Sequence, residues 1–248
     1  MQRSLVGSEM CIRDSYYPIL AVGFDAVYVH WGINPTVAVD TINSMEIDHF
    51  DGDSYGSGKY FGRDKDRLSA GYALEHTGVF YGTKVPEMLE DSNVRTDLKE
   101  DKMGTAFKFV EMDKNAAPSG EDAKNIRVDF GANYSTFSYD VDKHVYMKNY
   151  QNKPHMDSKT NEQLQFENLI ILETKITPYP TDSVLKYVDW EGGENAKGYY
   201  ISEGKMVPIT WSKAGMYDPL KFFDANGNEL QLNRGKSYIC LLYTSPSP

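Results

Sequence analysis

From Ile126 onward the chain is cut into short apolar or alternating segments, each closed by turn residues, and this rhythm constrains the fold more than any other feature. Ile126–Phe130, Tyr134–Tyr139, His144–Tyr150, Leu169–Ile176, Val184–Trp190, Gly198–Ile201, Lys205–Trp211 and Leu220–Asp224 read as strands. Between them stand DVDK, QNKP, SEGK and DANG. Each suits a turn, because Gly and Asn adopt left-handed backbone cheaply and an Asp side chain bonds its own backbone two residues on. The alternation in YSTFSY and HVYMKNY implies sheets with one wet face. An antiparallel β domain over residues 126–239 is the expected result.

The first half follows a different pattern. Phe24–His30 (FDAVYVH), between Gly23 and Gly32, suits a buried strand. Asn34-Pro35 follows as a helix start, and Val37, Ala38, Thr41, Ile42 and Met45 share one helical face. Asp48–Arg67 reads as a long irregular loop rich in Gly, Asp and Ser. Thr83–Asn93 has a helical pattern with Val85, Met88 and Leu89 on its apolar side, and Ala106–Met112 suits a closing strand. Asn115–Asn125 has the small, polar, Pro- and Gly-bearing composition of a linker. The expected fold class is α+β: a mixed, incomplete α/β domain over 16–113, a linker over 114–125, and the antiparallel β domain.

The two ends read as foreign to both domains. Leu5–Ser15 can be encoded by a DNA whose reverse complement, read from its second base, translates to Cys240–Pro248 without a mismatch. Nothing in protein physics produces that relation, so 1–15 and 240–248 are expected to be adapter-derived residues that pack poorly. Tyr16–Ile239 would then be an excerpt. The only cysteines, Cys11 and Cys240, lie in these ends, so no disulfide is expected.

Charge narrows the function. Acidic residues outnumber basic ones 36 to 26, for a net charge of −10. Nucleic acid is excluded as a partner, since it needs a basic stripe to displace counterions. No apolar run reaches the length of a membrane span.

Chemistry is sparse. His30 ends the first strand, where ligand sites of open sheets gather; it suits a general base, a ligand donor, or a histidine satisfied by a backbone carbonyl. Arg63 and Arg67 (from RDKDR) can hold a carboxylate or phosphate, or pair with Asp64 and pin the loop. Glu75 can orient His76, though no Ser or Cys stands in a nucleophile elbow. DGDSYG begins like a calcium loop but has Gly62 at its twelfth position, where a Glu is needed. His49, His144 and His155 lack zinc spacing. No metal and no cofactor are expected.

Together, FDAVYVHWG, RDKDR, KNYQNKPHMDSKTNEQLQFENLIIL, GYYISEGKMVPITWSK and LKFFDANGNELQLNRGKSYI resemble the YerB family of bacterial lipoproteins over most of Tyr16–Ile239. Where that family shows a Pro-His-Asn segment before a Tyr, this chain has SAGYALEHTGVFYG, with His76 as the candidate counterpart. The resemblance implies an extracytoplasmic protein held at the membrane by a lipid anchor that precedes this stretch, with no activity assigned to the family. The expected function is non-catalytic binding of an envelope ligand or protein partner through His30, Arg63, Asp64, Arg67, Glu75 and His76. The alternative is a cell-envelope hydrolase or transferase using a His/acid pair.

Overall fold

A computed structural model describes residues 17–32, 42–44, 47–55, 58–103, 107–131, 133–178, 180, 186–190 and 192–243. The helix expected after Asn34 lies outside these residues except for Ile42–Ser44, which are helical. The chain is strand-rich and divides into two compact units, one of 1–106, 178–187 and 216–219, the other of 107–177, 188–215 and 220–248. Among the described residues no helix is long and apolar enough to cross a membrane.

In the first unit a helix over Tyr17–Gly23 (α1) leads into β1 (Tyr28–His30), which is shorter than the strand expected over Phe24–His30. Asp25 sits at φ 51° and ends the helix. The irregular loop expected over Asp48–Arg67 is a misreading. It contains β2 (His49–Asp51), a helical turn α2 (Gly52–Tyr55), β3 (Phe61–Arg63) and most of α3 (Lys65–Ser69). The Gly and Asp content suggested a loop, but its aromatic residues are core: Phe50, Tyr60 and Phe61 are buried with Met88. β2 pairs parallel with β1, placing His49 opposite Tyr28 and Asp51 opposite His30. β3 pairs antiparallel with β4 (Gly78–Phe80). A further helix, α4 (Val85–Ser92), buries Met88 and ends on Asn93 at φ 50°, a left-handed cap of the kind Asn tolerates.

The second unit opens with β5 (Lys108–Phe109) and β6 (Glu121–Asp122). Its first sheet is β7 (Asn125–Asp129), β8 (Tyr134–Asp140), β9 (Val145–Tyr150) and β10 (Lys153–Pro154), all antiparallel, with β11 (Gln165–Phe166) also on β9. The next strands in the chain are β12 (Asn168–Thr174), β13 (Ile176–Pro178), β14 (Lys186–Val188, of which 186 and 187 belong to the first unit), β15 (Gly192–Ser202), β16 (Lys205–Ser212), β17 (Lys221–Phe223), β18 (Gln231–Leu232) and β19 (Ser237–Tyr243). The second sheet runs β17-β16-β15-β12-β19, with β6 against β16. The expected turns close these hairpins: Gln151 and Asn152 at φ 46° and 64°, Glu203 and Gly204 at φ 50° and 73°. Those are the mirror-image turn values that match strand twist.

Four details depart from expectation. The pairing is not wholly antiparallel, since β12 runs parallel to β19 and β18 parallel to β5. Residues 114–125 are not a free spacer: Asn115 and Ala116 bond Arg234 and Asn233, and Glu121–Asp122 pair with Lys205–Met206. Cys240–Tyr243, expected to pack poorly, continue β19 alongside Ile171–Thr174. Cys240 is a free, buried thiol; the apolar run CLLY extends a ladder already set by Ser237–Ile239. Finally, Lys148 lies on the core side of β9, only 5 % exposed.

The core of this unit draws on both sheets: Val128, Phe137 and Tyr146 from one, Leu169, Ile171 and Ile201 from the other. Each such side chain contributes about 1.5–3 kcal/mol by leaving water. A polar network completes it. The Tyr200 hydroxyl donates to Asn168 Oδ1 at 2.8 Å and accepts the Asn233 amide at 2.9 Å, and Asn233 Nδ2 donates to Ser202 Oγ and Ala116 O.

Candidate functional site

All six sequence-derived candidates fall in the first unit, and the structure sorts them into two clusters. The first is a stapled loop over 64–77. Asp64 is the N-cap of α3, its Oδ1 accepting the Asp66 and Arg67 amides at 3.0 Å. Its own amide donates to Thr77 O at 2.7 Å, which ties the two ends of the loop together. Arg67 Nη1 donates to His76 O at 3.1 Å, and its Nε lies 3.7 Å from Asp64 Oδ2. Arg63 Nη1 donates to Leu74 O at 2.7 Å. Buried Thr77 donates from Oγ1 to the same carbonyl. The two arginines thus satisfy backbone carbonyls of a 3₁₀ turn over Leu74–Thr77, groups that a loop otherwise leaves to water.

Glu75 and His76 occupy that turn, but their side chains make no hydrogen bond to each other or to any other described residue. The orienting pair considered for them does not form. What the staples present outward is apolar: Tyr72 is 56 % and Leu74 58 % exposed, with Leu68 and Tyr81 also exposed. The Arg67 guanidinium lies 5.9 Å from the Tyr72 ring centre.

The second cluster surrounds His30 and Trp31 at the carboxyl ends of β1 and β2. The Trp31 ring fits a slot that a side chain would fill: a Cβ on Gly52 would lie 2.6 Å from it. Trp31 Nε1 donates to Asp53 Oδ1 at 2.7 Å, Phe61 meets the ring edge-on, and the Arg63 guanidinium lies over its face at 4.0 Å. Arg63 therefore touches both clusters. His30 Nδ1 donates to Gly32 O at 2.8 Å, the backbone-carbonyl partner considered for it in the sequence. Its Nε2 meets His49 Nδ1 at 2.9 Å. Asp51 Oδ1 accepts the amides of Gly32 and Asp53 and stands 3.9 Å from His30 Nδ1.

His49, Asp51 and Asp53 were missed as site residues. The signal was HFD, an alternation about a buried Phe50 that reads as a short strand with His49 and Asp51 on one face. Desolvation by its neighbours, and then the imidazole of His30, hold His49 below the ordinary histidine value, against the pull of Asp51 and Asp48. Among the described residues no three His, Cys, Asp or Glu side chains group as metal ligands.

Residues 126–239 match the family described as "Protein of unknown function (DUF3048) C-terminal domain". The chain is homologous to "Putative lipoprotein YerB" of Bacillus subtilis strain 168, with 25 % identity over 239 residues, 94 % of this chain and 66 % of that protein. The chain thus spans just under two thirds of that relative's length. The crystal structure of Bacillus subtilis YerB superposes with a TM-score of 0.72 at 20 % identity, covering 92 % of this chain and 71 % of the other.

Proposed function

Given a chain that is YerB-like in sequence and fold, we propose that it is the extracytoplasmic part of an envelope lipoprotein and binds a protein partner through the stapled loop over 64–77. Anchorage at the membrane is carried over from the name of the Bacillus subtilis relative. One observation carries the binding role. The loop spends two arginines, an N-cap and a buried threonine on holding its backbone still, while Tyr72 and Leu74 remain more than half exposed. A rigid loop loses little entropy on docking, and a Tyr flanked by Arg has the composition of an interface anchor. The His/acid reading finds no support in this loop, since Asp64 is engaged as a cap and Glu75 makes no bond to His76.

Capture of envelope proteins by the intact chain tests the proposal. Tyr72→Ala with Leu74→Ala should weaken capture without changing the far-UV spectrum or the urea midpoint. Arg63→Ala with Arg67→Ala should weaken it by loosening the loop. Capture unchanged in both double variants would sink the assignment.

A further inference from the structure

Two hydrogen bonds set the protonation of His30 and His49 in a single order. Gly32 O can only accept, so His30 Nδ1, 2.8 Å away, carries a hydrogen. A neutral His30 then has its lone pair on Nε2, which faces His49 Nδ1 at 2.9 Å. That nitrogen must donate in turn, which leaves the lone pair of neutral His49 on Nε2. His49 is exposed, whereas the His30 side chain is only 6 % exposed. We propose that His30 and His49 form a two-imidazole proton relay in which His49 Nε2, at the amino end of β2, is a general base toward water or a ligand hydroxyl.

The step balances within these residues. As the O–H bond breaks, its electron pair stays on oxygen and its proton bonds to His49 Nε2. His49 Nδ1 passes its own proton to His30 Nε2. His49 ends neutral in the opposite tautomer, and His30 ends as an imidazolium that still donates from Nδ1 to Gly32 O. Asp51, 3.9 Å from that nitrogen, offsets the new charge without competing for the hydrogen bond. Its Oδ1 is held by the amides of Gly32 and Asp53 at 2.8 and 2.9 Å. The rings have little freedom: Tyr28 stacks on His30 at 4.8 Å, and the His30 and His49 rings lie 21° from parallel with centres 5.1 Å apart, an edge-to-edge approach that suits the Nε2···Nδ1 hydrogen bond. The depressed value of His49 keeps its Nε2 bare at neutral pH. His49 is the residue that meets the substrate, and His30 is a positioning residue. This chemistry rests on two histidines 19 residues apart in sequence, not on Glu75 and His76. It stands independently of the loop.

Long-range ¹H–¹⁵N correlation on the intact chain at neutral pH reads each tautomer. The relay requires hydrogen on Nδ1 and none on Nε2 for both His30 and His49. His30→Phe should release His49 into a mixture of tautomers, while His49→Gln should leave His30 as it was, held by Gly32. Hydrolysis of 4-nitrophenyl acetate, an activated ester, should slow several-fold in His49→Gln and by less in His30→Phe. Hydrogen on His49 Nε2 in the unsubstituted chain would overturn the proposal, even if His30→Phe failed to fold. Equal ester hydrolysis by the unsubstituted chain and His49→Gln would overturn the base assignment.

Discussion

Replacing Asp64 by Ala should loosen the loop over 64–77 while leaving the rest of its unit intact. The substitution removes the acceptor of the Asp66 and Arg67 amides. Losing an N-cap of this kind costs about 0.5–2 kcal/mol. It also removes the pairing with Arg67, where the two side chains are 34 % and 37 % exposed; at that exposure an ion pair adds little, roughly 0–1 kcal/mol before screening. The expected loss is about 1–2 kcal/mol, which multiplies the population of the open loop roughly 5- to 30-fold. Amide hydrogen exchange measures this directly. The reporters are Leu68, bonded to Asp64 O, Ala70, bonded to Asp66 O, and Asp64 itself, bonded to Thr77 O. Tyr81, bonded to Tyr60 O outside the loop, is the internal reference. Asp64→Asn keeps a capping oxygen and loses only the charge, so its effect should be clearly smaller. Unchanged exchange in Asp64→Ala, or an equal rise at Tyr81, would refute the staple argument.

Three further outcomes follow from the second unit. Tyr200→Phe removes the hydroxyl that the Asn168 side chain and the Asn233 amide share; leaving these buried groups unmatched should cost about 1–3 kcal/mol, seen as a lower urea midpoint at unchanged slope. His144 donates to Glu203 at 2.7 Å, and that hydrogen bond, then the carboxylate charge, raises it above its ordinary 6.5. The folded chain therefore holds the proton more tightly, so this contribution is complete below 6.5 and lost as pH rises through the raised midpoint. An NMR titration should show the high midpoint, and Glu203→Gln should bring it back down. Burial lowers the Lys148 ammonium below 10.5, so the unfolded chain binds the extra proton and stability rises with pH through the window between; Lys148→Met should flatten that rise in urea denaturation at several pH values, and at neutral pH it should be neutral or stabilising.

The β half was legible because its information is local. Turn chemistry at QNKP and SEGK fixes where strands stop, and Glu203-Gly204 closes its hairpin with the positive φ values such residues favour. Partner choice is not local, and so the parallel pairing of β12 with β19 was invisible, as was the use of Asn115 and Ala116 to bond a segment more than a hundred residues away. In the first half, Gly and Asp between 48 and 67 outweighed Phe50, Tyr60 and Phe61, although three buried aromatics signal core rather than loop. The pairing of Arg67 with Asp64 was legible because the two charges stand three residues apart, but the carbonyls of Leu74 and His76 that the arginines hold were not, and neither was the loop over 64–77 that they pin. His49 was not, since only the parallel register with β1 brings it to His30.

The central claim, that the stapled loop meets a partner, is tested most directly by photocrosslinking from position 72 in intact cell envelopes. A photoreactive side chain in place of Tyr72 should yield a discrete protein adduct. That adduct should fade when Arg63→Ala and Arg67→Ala are added, and it should be absent from a probe at Val141 of the second unit, which is 65 % exposed. No adduct from position 72, or the same adduct from both positions, would contradict the account.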